Sequence, residues 1–301
     1  MPKYFKTDPL TPGIFLFTPM RSFNYNGKYY KEGTPIIGAG SRALRYGDGL
    51  FETIKYRNND FILLQDHLLR LWQGMDLMQF EKTKLFTKQL LRDELEALVN
   101  KNKDTNARVR LSVFRANGGL YDTEHHHPQF LIESFPLTTD TSTLNGNGLQ
   151  LCIYRDAVKT CDLFSNSKHN NYLPYFMGAL YAKSNRCNDA IILNTHGRIC
   201  DTTIANIYII KNDLIYTPAL SEGCIAGVMR KFLLQQIVAT GFKIIEDNIT
   251  EQMLLEADEV FLSNSIYTIR WVAGVGEKEY SNIITRKLFD ILSQTNKNIF
   301  C

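Results

Sequence analysis

Alternation of apolar and polar residues marks the first half of the chain. Leu50-Phe51-Glu52-Thr53-Ile54-Lys55-Tyr56, the turn Asn58-Asn59-Asp60 and Phe61-Ile62-Leu63-Leu64 predict a hairpin, because a period of two turns one side of each strand to a core. The period then lengthens. Leu68, Leu71, Trp72 and Met75 recur at three- and four-residue intervals, which predicts a helix capped by Asp66 and running to about Phe80. A second helix over residues 86–100 and strands over 108–114 and 129–135 complete a strand-rich α+β unit, in which Tyr56, Trp72 and Phe86 are core aromatics.

Between residues 138 and 148 the chain turns to Thr, Ser, Asn, Asp and Gly with little to bury, so a linker is expected there. The expected organisation is a unit over 1–137, the linker, and a second unit over 149–301. The second unit reads as strand 149–154, helix 172–185, strands 190–193 and 199–210, helix 228–240, strands 243–245 and 259–263, and a last helix over 282–293. No internal repeat or low-complexity stretch interrupts it.

Composition narrows the function classes. With 301 residues, 44% hydrophobic and 22% charged, the chain is of the ordinary globular kind. Its 34 Lys plus Arg against 31 Asp plus Glu leave +3, too even a balance for a phosphate-backbone surface, so no nucleic-acid partner is expected. No apolar run reaches spanning length, and two prolines break the start of the sequence before a signal-peptide core could form; a cytoplasmic chain without membrane contact is expected. The six cysteines include no C-x-x-C pair and read as reduced thiols. His125-His126-His127, between Asp122-Thr123-Glu124 and Pro128, reads as a solvated loop, and no metal is expected. Gly38-Ala39-Gly40-Ser41-Arg42-Ala43 fits a dinucleotide fingerprint on paper, but Gly47, Gly49 and a period-two strand follow where a crossover helix would be needed.

The chemistry lies further on. Lys168, in Ser165-Asn166-Ser167-Lys168-His169-Asn170-Asn171-Tyr172, enters an apolar helix with no acidic neighbours. Asp201, in Gly197-Arg198-Ile199-Cys200-Asp201-Thr202-Thr203, places a carboxylate between strand-like runs. Ser221 to Arg230 opens a helix with small residues, a start whose unpaired N–H groups can hold a phosphate. A lysine, a carboxylate and an anion cradle are the parts that pyridoxal phosphate requires.

The set resembles the class IV aminotransferases, the fold-type IV pyridoxal phosphate enzymes, from about Phe23 to Leu292. That family includes branched-chain aminotransferases, D-amino acid aminotransferases and 4-amino-4-deoxychorismate lyases. Tyr46-Gly47-Asp48-Gly49-Leu50-Phe51-Glu52-Thr53 is similar to its Y-G-D-G-x-F-E-T strand, and Asp66-His67-Leu68-Leu69-Arg70-Leu71 to its H-x-x-R-L helix. Lys168-His169-Asn170-Asn171-Tyr172-Leu173 matches K-x-x-N-x-L, Gly227-Val228-Met229-Arg230 matches G-I-x-R, and Ser263-Asn264-Ser265 stands at the segment completing the anion site. The resemblance implies a smaller N-terminal α+β domain and a larger C-terminal β-barrel-like domain with helices. It implies Lys168 as the Schiff-base lysine and proton carrier and Asp201 facing the pyridine nitrogen. Arg70, Gly227, Val228, Asn264 and Ser265 become cofactor contacts, and Tyr46, Phe51, Arg110 and Arg115 substrate contacts. A homodimer whose loops complete each pocket is also implied.

Asp201 departs from the family's glutamate and reaches about 1.5 Å less far, so facing the ring nitrogen calls for a shift of the strand or a bridging water. Within the family the signals divide. Arg115-Ala116-Asn117-Gly118-Gly119-Leu120-Tyr121, Ser263-Asn264-Ser265-Ile266 and the helix start Gly223 to Phe232 resemble the aminodeoxychorismate lyases, although Leu120 replaces an arginine of that loop. Tyr46, Phe51 and Arg110 are shared with the branched-chain branch, whose lysine segment is one residue longer. The D-amino acid branch fits less well, since its arginine and histidine fall at Leu120 and Asp122. The favoured expectation is release of p-aminobenzoate and pyruvate from aminodeoxychorismate. The alternatives are a branched-chain-type or D-amino acid aminotransferase and a catalytically silent binding protein. For Arg110, the period-two pattern with Arg108 and Ser112 also allows a solvent-facing strand position.

Overall fold

The structure, a computed structural model, describes residues 20–121, 125–138, 140 and 142–300. Its first half forms β1 (Ser22–Tyr25), β2 (Lys28–Lys31), α1 (Arg42–Tyr46), β3 (Gly49–Arg57) and β4 (Asp60–Phe61). These are followed by α2 (Leu64–Leu77), α3 (Lys88–Asn102), β5 (Asn106–Phe114) and β6 (Gln129–Pro136). The strands make one antiparallel sheet in the order β2-β1-β6-β5-β3-β4. Leu50, Ile54 and Tyr56 of β3 and Val109, Leu111 and Val113 of β5 bury one face under α2 and α3 with Leu68, Leu71, Leu91 and Leu95. The core aromatics predicted from sequence belong to this cluster: Tyr56 and Phe86 are buried in it and Trp72 packs against it. Strand alternation turns Phe51, Thr53, Arg108 and Arg110 to the opposite face.

Three local expectations are corrected. Asp66 does not cap α2; Leu63 occupies the cap in a left-handed conformation at φ 55°, and Asp66 sits in the first turn, bonded to Lys231 Nζ at 2.6 Å. Because α2 begins at Leu64, the returning hairpin strand is only two residues long. Thr87, not Phe86, starts the next helix, accepting a hydrogen bond from Leu90 N–H.

The second half contributes β7 (Leu149–Lys159), α4 (Leu173–Ser184), β8 (Asp189–Asn194), β9 (Ile199–Thr202), β10 (Asn206–Lys211) and β11 (Leu214–Pro218). Then come α5 (Val228–Ala239), β12 (Lys243–Asp247), α6 (Glu251–Leu255), β13 (Glu259–Asn264), β14 (Thr268–Val275), β15 (Lys278–Glu279), α7 (Ile283–Thr295) and α8 (Lys297–Phe300). The main path is β12-β11-β10-β13-β14-β7-β8-β9, with β15 against β14. The sheet curls, for Ile199 at one end bridges Ile249 beyond the other, and Asn206 of β10 reaches Asp201 of β9 at 2.9 Å. Residues 199–210, expected as one strand, are therefore two, split by a turn in which Thr202 N–H donates to Ala205 O.

The apolar helix after Lys168 is also corrected. Only Tyr175, Gly178 and Ala182 of α4 are buried, whereas Leu173, Phe176 and Leu180 are exposed. No helix among the described residues is long and apolar enough to cross a membrane. The five described cysteines are free thiols. His127 Nδ1 lies 2.9 Å from Glu81 O in an exposed loop, while Asp122, Thr123 and Glu124 lie outside the described residues.

Candidate active site

The bare face of the first sheet and the rim of the second enclose a cavity of about 500 Å³, within the range of small-molecule sites. Lys168 reaches it on a segment that adds to the edge of β3. Phe51 N–H donates to Lys168 O and Asn170 N–H to Gly49 O, both at 2.9 Å. Gly49 permits this approach, since a Cβ there would lie 2.6 Å from Val113 O and 2.7 Å from Asn170 Nδ2. Lys168 Nζ then stands 4.5 Å from the Phe51 ring centre and 5.6 Å from that of Tyr172. Burial at the cavity wall, joined by the Arg70 charge, pulls its pKa from 10.5 down to about 7. The amine is thus poised to be neutral, which a nucleophile and base must be.

Arg70 comes from α2. Its Nε donates to Glu52 Oε1 at 2.8 Å, an Nη2 N–H reaches Glu52 Oε2, and Nη1 donates to Ala226 O at 3.0 Å. Glu52 is itself held by His67 Nδ1 at 2.6 Å. Burial would raise the Glu52 carboxyl, but the Arg70 and His67 charges outweigh it and bring the pKa to about 2. With three of five N–H groups committed, Arg70 keeps one on each terminal nitrogen for an anion in the cavity.

Opposite Arg70, Gly227 is the cap of α5 and no side chain satisfies the first N–H groups of that helix. A Cβ at Gly227 would fall 2.0 Å from Asn206 Oδ1, so only glycine lets the helix start come this close. Val228, Asn264 and Ser265 border the same space. Asn264 Oδ1 accepts from the N–H groups of Ile266 and Tyr267 at 3.0 and 2.9 Å, which fixes that turn.

Asp201 sits on the cavity wall with its carboxylate already engaged. Oδ1 accepts from Asn206 Nδ2 at 2.9 Å; Oδ2 accepts from Ile225 N–H at 2.9 Å, Tyr175 OH at 2.8 Å and Lys159 Nζ at 3.4 Å. Burial raises its pKa, and the Lys159 charge and the hydrogen bonds oppose the rise. Arg110 sits over Phe51, Cζ 3.9 Å from the ring centre, with Nε donating to Ser112 Oγ at 3.2 Å. Burial lowers its pKa below the ordinary arginine value, yet the group stays cationic.

The cavity therefore gathers Phe51, Arg70, Arg110, Lys168, Asp201, Gly227, Val228, Asn264 and Ser265. It does not gather Tyr46 or Arg115. Tyr46 is exposed beside Arg42. Arg115 is buried elsewhere, consumed by Asp48, by Met78 O and by the Phe80 ring, whose centre is 4.2 Å from its Cζ. Sequence reading missed Glu52 and His67 behind Arg70, the donors Lys159, Tyr175 and Asn206 around Asp201, and Arg108. For Arg108 a signal existed, its period-two spacing from Arg110.

Residues 49–275 match the model of the amino-transferase class IV family. The chain belongs to that family, and its cofactor is pyridoxal phosphate. It is 27% identical over 245 residues to an aminodeoxychorismate lyase of Vibrio harveyi, covering 81% of this chain and 89% of that one. It is 24% identical to a putative branched-chain-amino-acid aminotransferase of Methanocaldococcus jannaschii, over 87% of this chain and 92% of the relative. The solved 4-amino-4-deoxychorismate lyase of Pseudomonas aeruginosa superposes with a TM-score of 0.78 at 25% identity, over 91% and 99% of the two chains. The two-part fold-type IV architecture expected from the motifs is the one observed.

Proposed function

We propose that this chain is an aminodeoxychorismate lyase, splitting its substrate into p-aminobenzoate and pyruvate. The observation that carries the reading is one cavity holding Lys168, poised near neutrality, and the cationic Arg110, both within 4.5 Å of the Phe51 ring centre. An amine-bearing carbon and a carboxylate of one substrate can be served there together. The similarity to lyases over most of the chain supports this choice of substrate.

The donor set fits pyridoxal phosphate: a buried amine for its aldehyde, two free Arg70 N–H groups and the uncapped start of α5 for its phosphate, and Asp201 for its ring nitrogen. When bound, the cofactor supplies an electron sink for the carbon that bears the substrate amine. Lys168 Nζ takes the proton from that carbon and returns one to the product. Arg110 holds a carboxylate, and Phe51 and Tyr172 wall the amine from water.

Purified holoenzyme given aminodeoxychorismate is expected to release pyruvate, read by a coupled dehydrogenase. No pyruvate, together with conversion of the cofactor's visible band to the pyridoxamine spectrum by L-glutamate, would move the assignment to the branched-chain-type aminotransferases, which Arg110 also suits. Arg110→Lys keeps the charge but loses the planar fork. It should raise KM for the acidic substrate roughly tenfold, with a smaller change in kcat; a fall in kcat at unchanged KM would take Arg110 out of the substrate site.

We also propose that two copies associate through the exposed apolar side of α4, Leu173, Phe176 and Leu180, as the family's homodimer suggests. Light scattering that finds a monomer at working concentration would refute this.

A further inference from the structure

We propose that Arg108 is a second carboxylate receptor, so that Arg108 and Arg110 together select substrates carrying two carboxylates. Both arginines line the cavity that holds Lys168. They lie two residues apart on β5, hence about 7 Å along one strand face. Each guanidinium sits over an aromatic ring, Arg110 Cζ 3.9 Å from the centre of Phe51 and Arg108 Cζ 4.7 Å from that of Phe135. Stacking leaves the N–H edge of a guanidinium open to a planar acceptor. Among the described residues neither arginine forms an ion pair with a carboxylate. Glu133, opposite Arg110 in the β5–β6 register, acts on it only through its charge.

A ligand with two carboxylates gives each guanidinium an acceptor. Arg110 shares the Phe51 ring with the reacting amine, its Cζ at 3.9 Å and Lys168 Nζ at 4.5 Å from the ring centre, whereas Arg108 sits over Phe135. Arg110 therefore takes the carboxylate common to all substrates, and Arg108, exposed at the cavity mouth, takes the one that distinguishes dicarboxylates. The inference rests on the lyase reading for its substrate, which carries two carboxylates, but its test does not.

Glutarate and butyrate, unreactive di- and monocarboxylates, are titrated into the holoenzyme by calorimetry. The wild-type chain is expected to bind glutarate at least about tenfold more tightly, the order expected of one charge-assisted contact. Arg108→Gln should abolish that preference, leaving butyrate within about twofold of wild type and the cofactor's visible band unchanged, whereas Arg110→Gln should weaken both ligands. Equal affinities in the wild type, or equal losses of both ligands in Arg108→Gln, overturn the proposal. Pyruvate release from aminodeoxychorismate without a glutarate preference removes the Arg108 role and keeps the lyase reading. A preference that Arg108→Gln abolishes, without pyruvate release, does the reverse.

Discussion

Lys168→Ala is expected to abolish the visible band of the lysine-attached cofactor and to lower turnover by more than roughly 10⁴-fold, the upper end of what a positioned proton-transfer group supplies alone. One amine both anchors the cofactor and carries the proton, so no second group covers its loss. The fold should survive, because an amine in so desolvating a setting that its pKa falls to about 7 is disfavoured in its charged form. The sign can be followed in the apoprotein. Unfolded Lys168 titrates near 10.5 and folded Lys168 near 7, so between those values the unfolded chain binds more protons. Wild-type stability therefore rises relative to Lys168→Ala as pH increases from about 7 toward 10.5, and below 7 the burial cost is fully present. Cofactor attachment should follow the neutral amine, with a midpoint near 7. Retention of the visible band in the variant, or borohydride trapping of the cofactor on another lysine, would remove Lys168 from the centre of the mechanism.

What sequence revealed, and what it withheld, follows from the range of the interactions involved. The β3 alternation was legible because neighbours along the chain decide which face is buried, and the same rule put Phe51 and Arg110 on one surface. The motif lysine, the arginine of α2 and the glycine at the start of α5 were legible as residue types with few other uses in that order. The split after Thr202 was not, because Thr203-Ile204-Ala205 contains neither glycine nor proline and its turn is closed by Thr202 and Ala205 themselves. That turn nevertheless brings Asn206 beside Asp201. Lys159 and Tyr175 were equally hidden, since their positions on β7 and α4 acquire meaning only when the curled sheet brings them to β9. Arg115 matched a family loop in sequence, yet its charge is spent on Asp48. A motif can identify a residue without saying which cavity its side chain enters.

Asp201→Asn should lower turnover by about 10²–10³-fold, the cost typical of removing one preorganised electrostatic partner, and weaken cofactor binding. Asp201 reaches the cavity despite its short side chain, held by four donors that converge on its two oxygens. An asparagine presents one acceptor and one donor there, so an amide N–H would meet other donors. Lys159, buried at 7% exposure, would also lose its countercharge. Breaking such a buried pair from one side costs about 3–5 kcal/mol, which thermal unfolding of the apoprotein would register as a lowered midpoint. Asp201→Glu separates the electronic role from this structural one. It keeps the charge and extends the reach toward the cavity, so activity should stay within about tenfold of wild type while Asp201→Asn falls further. The contrast is read as kcat together with the cofactor dissociation constant. An Asp201→Asn protein with both values unchanged would show that this carboxylate serves the sheet and its lysine rather than the cofactor.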